Sequence, residues 1–140
     1  MRVFDTMTDV IKQAGRRRGA NMGTLDINHP DIEQFIALKN KEGTMSNFNI
    51  SVTVTDSFVD ACRNNQDYVL RNGKSVPSQQ LLDSICQGMW ATGEPGVIFI
   101  DEINRHHPLL QNVQTVNPCS ESILVDKESC NLGSINAARF

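Results

Sequence analysis

Apolar and polar positions along this chain switch between a helical period and a strand period. Across "FDTMTDVIKQAG", Val3, Met7, Val10, Ile11 and Ala14 recur at helical spacing, and Gly15 is a natural stop, which predicts a helix. "ANMGTLDI" reads as a strand. "NHPDIEQFIALKNKEG" reads as a second helix, with Asn28 as its cap, Pro30 in its first turn, and Ile32, Phe35 and Ile36 on one face. "NFNISVTV" is the clearest strand: Phe48, Ile50, Val52 and Val54 alternate with Asn47, Asn49, Ser51 and Thr53. "TDSFVDACRN" is a short helix capped by Thr55 or Asp56. "SQQLLDSICQGMWATG" is a longer one, with Leu81, Leu82, Ile85, Met89 and Trp90 apolar and Gly93 at its end. "GVIFID" is a continuous apolar run, as expected of a strand buried on both faces. The order α-β-α-β-α-(β)-α-β predicts an α/β fold with a partly parallel sheet. After Asn104 the pattern weakens: "RHHPL" reads as a turn, and the tail is expected to loop out and return as a strand near "SCNLGSIN".

Composition adds bounds rather than detail. The 140 residues suffice for one modest domain. Hydrophobic residues at 39% and charged residues at 21% are ordinary for a soluble globular chain and do not suggest disorder or a fibre. No apolar run approaches a membrane span, and "MRVFDTMTDV" has no signal-peptide core, so a cytoplasmic protein is expected, with no membrane partner. A net charge of −3 argues against broad nucleic-acid binding. The basic loop "GRRRG", Gly15 to Gly19, is a local exception; on sequence physics alone it is a solvated cluster at a helix C-terminus.

Of the four cysteines, none forms a CxxC pair, which argues against a zinc site. Cys62 and Cys86 fall on the apolar sides of helical patterns and are assigned to the core. Cys119 and Cys130 lie in polar, turn-rich sequence and are the candidates for chemistry. In "TVNPCSES", Asn117, Cys119 and Glu121 occupy every second position. In an extended segment they would share one face, roughly 7 Å apart. A carboxylate beside a thiol disfavours the thiolate, so a hydrolytic nucleophile fits badly. A neutral S–H beside a general base suits a one-electron sulfur centre, with the amide holding a hydroxyl.

A second pattern competes. "NGKSV" followed by "GVIFIDEINR" looks like the end of a phosphate-binding loop and a strand ending in Asp101 and Glu102, the pair of a nucleotide hydrolase. The loop needs a glycine five residues before Gly73, where Tyr68 stands, and Pro77 compromises the helix that should follow. An ATPase fragment is therefore the alternative and not the leading reading.

"NPCSE" followed by "ESCNLGSINAARF" resembles the finger loop and following strand of the ribonucleotide reductase catalytic subunit. "IKQAGRRRGANMGTLDINHPDIEQFIALK" resembles the specificity-loop region and its helix. "NFNISVTVTDSFVDA" and "ATGEPGVIFIDEINR" resemble the next core segments, in the family's order. "GVIFIDEINR" and the short interval from Cys119 to Cys130 are typical of the adenosylcobalamin-dependent class. The family's glycyl-radical class lacks the carboxylate that Glu121 supplies and draws its electrons from formate.

The resemblance implies a fold and a set of roles. The fold would be part of the ten-stranded α/β barrel, about its first half with the finger loop, and residues 1–140 a single partial domain. Cys119 would carry the thiyl radical that takes the ribose 3′ hydrogen. Glu121 would accept the 3′-hydroxyl proton. Asn117 would hold the ribose hydroxyls and assist loss of water from C2′. Cys130 would be one of two thiols that become a disulfide. Ser120 stands where glycine is common in that class. Arg17, with Arg16, Arg18 and Gly19, would link a deoxynucleotide or ATP effector to the substrate base. Implied partners are a ribonucleotide substrate, a thioredoxin-type reductant, and the remaining barrel segments, supplied by another chain or lost, with a homodimer for the full enzyme. No DNA contact and no metal cluster are implied. Alone, the chain is expected not to reduce ribonucleotides; a non-catalytic nucleotide-binding remnant is a further alternative.

Overall fold

In the computed structural model, which describes residues 1–13, 17–41, 43–108 and 111–140, the frame is a three-stranded parallel sheet. Helix α1 (Arg2–Val10) leads into β1 (Lys12–Gln13), which pairs antiparallel with β2 (Arg17–Arg18). Then come β3 (Asn21–Asp26), α2 (Ile32–Ile36) with a 3-10 turn at Ala37–Lys39, β4 (Phe48–Val54), α3 (Asp56–Arg63), the small hairpin β5 (Asp67–Val69) and β6 (Ser75–Pro77), α4 (Ser78–Thr92), β7 (Gly96–Phe99), α5 (Ile100–His106), a second hairpin β8 (Thr115–Val116) and β9 (Ile123–Leu124), and a 3-10 turn at Ala137–Arg139. The sheet order is β3-β4-β7, with both pairings parallel, as the alternating pattern predicted. Among the described residues no helix is long and apolar enough to cross a membrane.

The apolar alternation of β4 does what it predicted. Ile50, Val52 and Val54 face α2, α3 and α4, whose Ile32, Ile36, Phe58, Leu81 and Ile85 complete one core. The polar alternation does not reach solvent: Ser51 is 4% and Thr53 1% exposed, because β4 is the central strand and both faces are covered. Each polar group there finds a partner or a close neighbour. The Thr53 hydroxyl donates to Asp26 Oδ1 at 2.6 Å. A Cβ at Gly96 would lie 2.7 Å from Ser51 Oγ, so a larger residue there would force the buried Ser51 side chain to shift. Below the sheet, Lys39 Nζ donates to the Phe48 carbonyl at 2.5 Å and to Glu94 at 2.9 Å, and Glu94 Oε2 accepts from Ile50 N at 3.2 Å. That carboxylate satisfies a β4 amide just before β7 begins.

Several expectations are corrected. The first helix ends at Val10 and not at Gly15: β-branched Val10 and Ile11 are weak helix formers, and Ile11 is extended, feeding β1. Ala14, Gly15 and Arg16 lie outside the described residues. The apolar stripe of α1 is real but faces outward, with Val3, Met7 and Val10 exposed. The helix docks through its polar side: Asn21 Nδ2 donates to Thr8 Oγ1 at 2.9 Å, and Asn47 donates from N to Asp5 Oδ1 at 3.0 Å and from Nδ2 to Asp5 O at 3.1 Å. The second helix begins at Ile32. Asn28 does not cap it, because a turn closed by His29 N on Asp26 O and by Ile32 N on His29 O intervenes. Thr55 caps α3 as expected, accepting from Phe58 N at 3.3 Å. In α4, Gly93 ends the helix at φ +81°, but Cys86, Met89 and Trp90 are exposed: a 15-residue helix buries one stripe, and Leu81 and Ile85 occupy it. "GVIFID" is strand only to Phe99, whose side chain is exposed, and Ile100 starts α5. No strand forms near "SCNLGSIN"; residues 130–136 are irregular and mostly exposed.

The split between buried and exposed apolar residues gives a direct expectation. Ile50→Ala should cost about 2–5 kcal/mol in urea unfolding followed by circular dichroism. Trp90→Ser, at a site 93% exposed, should stay within about 0.5 kcal/mol. Equal losses would contradict the assignment of the core to the helix-covered face of β4.

Candidate active site

The parallel sheet turns one face to its helices and the other to the C-terminal segment. The alternating residues Thr24 and Asp26 of β3 and Asn49, Ser51 and Thr53 of β4 share this second, polar face. Across it runs the chain leading into the β8–β9 hairpin, fastened by side-chain hydrogen bonds. Asn104 of α5 takes both backbone groups of Val113, accepting from its N at 2.7 Å and donating to its O at 3.2 Å. Thr24 Oγ1 donates to Thr115 Oγ1 at 3.3 Å, and Asn49 Nδ2 donates to the Pro118 carbonyl at 2.5 Å. Val113 and Val116 are buried beneath this crossing.

The hairpin pairs Thr115 with Leu124 and Val116 with Ile123, and "NPCSES" forms the turn between them. Asn followed by Pro is favoured chemistry for the first two positions of a tight turn. Ser120 N donates to Asn117 O at 2.9 Å, closing it. Ser120 stands at φ +64°, a left-handed conformation that glycine adopts freely and serine at a cost. That is a physical reason for glycine at this position in the resembling class. Asn117 N donates to Ser122 O at 3.3 Å, and Asn117 Oδ1 accepts from Ser122 N at 2.9 Å.

The expected extended row is therefore corrected to a turn. Asn117 forms its half-buried base, while Cys119 and Glu121 are exposed on its outer part. Cys130, thirteen residues beyond Asn117, returns to this base: its sulfur lies 3.9 Å from Asn117 Nδ2 and 3.2 Å from Ser122 Oγ. All four predicted catalytic residues thus belong to the turn or touch it. The basic cluster is elsewhere. Arg17 and Arg18 form β2, paired with Gln13 and Lys12, and Arg16 lies outside the described residues. A Cβ on Gly19 would meet Thr8 Cγ2 at 2.9 Å, so Gly19 lets the hairpin close against α1. Ser122, Asn104 and Asn49 were not singled out from sequence. Asn49 carried a signal as a polar-face residue of a clear strand, while Asn104 and Ser122 carried none.

The nucleotide-hydrolase pattern does not assemble. Gly73 and Lys74 occupy the β5–β6 turn, with Gly73 N on Leu70 O at 2.9 Å, and strand rather than helix follows. Lys74 Nζ pairs with Glu33 at 2.6 Å. Tyr68, where the loop would need glycine, packs its ring edge-on against Phe58 at 5.2 Å. Asp101 accepts from Asp56 N at 2.8 Å, helping to cap α3. Arg105 bridges Asp56 and Glu102, and Glu102 also meets His106 at 3.0 Å. The Arg105 guanidinium, by its hydrogen bonds first, holds the carboxyls of Asp56 and Glu102 below the usual range, and they raise its own pKa in turn.

Depressed carboxyl pKa values stabilise the fold above the unfolded pKa of about 4, and that contribution is lost as pH falls through the folded values. In Arg105→Gln, both carboxyls should titrate at higher pH than in the parent, read by carboxyl-carbon NMR. Unchanged titration would dissolve the clamp between α3 and α5.

Comparison with known proteins gives the family of the chain. The model of the ribonucleotide reductase barrel domain matches residues 1–140. The chain is 49% identical over 150 residues to a vitamin B12-dependent ribonucleoside-diphosphate reductase of Thermoplasma acidophilum, covering 100% of the chain and 19% of that protein. It is 43% identical over 149 residues to a protein of the same description from Mycobacterium tuberculosis, at 100% and 22%. A vitamin B12-dependent ribonucleotide reductase of Rhodopirellula baltica is 33% identical over 174 residues, at 100% and 17%. The chain spans about a fifth of the length of these relatives.

Proposed function

The chain belongs to the ribonucleotide reductase barrel family, and we propose that its β8–β9 hairpin is the finger that reduces a ribonucleotide by thiyl-radical chemistry. The observation that carries this is the arrangement of one turn. Cys119 and Glu121 are exposed on it, and Asn117 at its base contacts the sulfur of Cys130.

Each group has the capacity its role requires. Cys119, at the exposed part of the turn, offers a thiol that a radical source outside the sheet can reach, which fits an adenosylcobalamin partner, the relatives being named as vitamin B12-dependent. That group, when bound, supplies the radical that converts the Cys119 thiol to a thiyl. Cys119 then takes the 3′ hydrogen of the ribose. Glu121, exposed on the same turn, accepts the 3′-hydroxyl proton. Asn117 spends one Oδ1 lone pair on Ser122 N and directs Nδ2 toward Cys130. A second lone pair and a second N–H are left for the ribose hydroxyls. Breaking the C2′–O bond releases water and the carbon gains hydrogen; the hydrogen on Cys119 then returns to C3′ and the proton on Glu121 to the 3′ oxygen. Cys130 and a second thiol supply two electrons and two protons and end as a disulfide. Steady turnover needs the rest of the barrel.

In the same proposal, the β1–β2 hairpin, with Arg16, Arg17, Arg18 and Gly19, contacts a deoxynucleotide or ATP effector. Its support is the pairing of Arg17–Arg18 with Lys12–Gln13, which concentrates basic residues on one hairpin. Arg17→Ala should weaken deoxynucleotide binding about tenfold or more in calorimetric titration; equal binding would remove the effector role.

The catalytic reading is tested by grafting. With this chain replacing the matching segment of the Thermoplasma acidophilum relative, adenosylcobalamin-dependent reduction should persist. Cys119→Ser should lower it at least about a thousandfold, and Glu121→Gln by about a hundredfold or more. A graft that turns over without Cys119 would end the proposal.

A further inference from the structure

We propose that Ser122 is a positioning residue for the Cys130 thiol, its hydroxyl holding that sulfur at the base of the turn that carries Cys119. The inference rests on the reading of Cys130 as a reducing thiol and adds a residue to which neither the sequence pattern nor the proposed roles gave a part.

The geometry is specific to Ser122. Its Oγ lies 3.2 Å from Cys130 Sγ, closer than the 3.9 Å from Asn117 Nδ2. The backbone that carries this hydroxyl is held, because Asn117 bonds both the N and the O of Ser122, through its side chain and its own N–H. The segment carrying Cys130 has little else to place it. Val125 and Glu128 close a local turn, with Val125 N on Glu128 Oε2 at 2.9 Å and Glu128 N on Val125 O at 3.2 Å, and residues 131–140 are exposed. Among the described residues from 129 to 135, Cys130 is the one whose side chain hydrogen-bonds back to the hairpin.

A hydroxyl suits this task. It donates or accepts, so the contact holds with the sulfur protonated or not. A charged anchor would favour one state of a thiol that must give up its proton. A disulfide closes only when the two sulfurs come to about 2 Å in a narrow range of geometries. A sulfur on an otherwise unpaired segment needs an anchor to be delivered there repeatedly. The competing role for Ser122 is purely structural, closure of the turn through its backbone, and this would not depend on the side chain.

The test separates the two in the 140-residue chain, read by alkylation of individual cysteines with iodoacetamide and peptide mass spectrometry. Ser122→Ala and Ser122→Val should change the Cys130 rate about fivefold, the worth of one net hydrogen bond. Ser122→Thr, which keeps the hydroxyl, should stay within about twofold, and Cys86 should not change in any variant. In Ser122→Cys, mild oxidation should join residue 122 to Cys130 rather than to Cys119. An unchanged Cys130 rate in Ala and Val, or a crosslink to Cys119 instead, would overturn the contact. In the graft described above, Ser122→Val should slow turnover while Ser122→Thr restores it. If Cys130→Ser turns over undiminished there, the reducing role of Cys130 falls, and the positioning function with it. The alkylation result shows separately whether Ser122 holds the sulfur.

Discussion

Strand β4 is the constraint from which the rest of the architecture follows. It has a parallel neighbour on each side, so its backbone groups are spent on β3 and β7. Its two side-chain faces must then be covered by different partners. The apolar face takes α2, α3 and α4. The polar face cannot be left under an apolar cover without cost, since buried hydroxyls need partners. It is instead bridged to β3 through Thr53 and Asp26, and crossed by a segment that brings its own polar groups. The ends of β4 are settled in the same way: the Glu94 carboxylate extends the ladder below, and Thr55 begins α3 above.

This division explains how the turn proposed to be reactive can be displayed by a small frame. The hairpin bearing Cys119 and the chain leading into it are held by directional contacts from Asn104, Thr24 and Asn49, with Val113 and Val116 supplying the buried apolar part. Hydrogen bonds fix position at little net free energy each, about 1 kcal/mol. They therefore set where the turn stands without burying its outer part. The tip keeps Cys119 and Glu121 exposed while the base is locked.

Periodicity made most of the frame readable in advance, because β3, β4, α3 and α4 depend on local spacing that tertiary contacts reinforce. It failed where the same spacing has two meanings. The stripe of Val3, Met7 and Val10 correctly marked a helix, but periodicity carries no sign for which side meets the sheet, and Asp5 and Thr8 won through specific hydrogen bonds. Cys86 followed a helical pattern yet lies off the single buried stripe of α4. The candidate site was readable as residue types and not as shape. Alternation placed Asn117, Cys119 and Glu121 on one extended face, whereas Asn-Pro at the head of a turn and a left-handed Ser120 bend the chain there. The approach of Cys130 to Asn117 could come from the motif but not from spacing, and Asn104 acts through a contact no sequence pattern announces.

Asn117 limits how loss of activity at this site can be interpreted. Its amide holds Ser122 N, its backbone receives Ser120 N and donates to Ser122 O, and its Nδ2 faces the Cys130 sulfur. A side chain with this many structural bonds cannot be truncated as though it served substrate alone. Removing the amide would free Ser122, and Ser122 is the nearer anchor of Cys130, so the two roles proposed for this site, holding the ribose and placing the Cys130 sulfur, would be disturbed together. The proposed roles of Asn117 and Cys130 are thus coupled, directly and through Ser122, and single substitutions at 117 and 130 should not combine as independent effects.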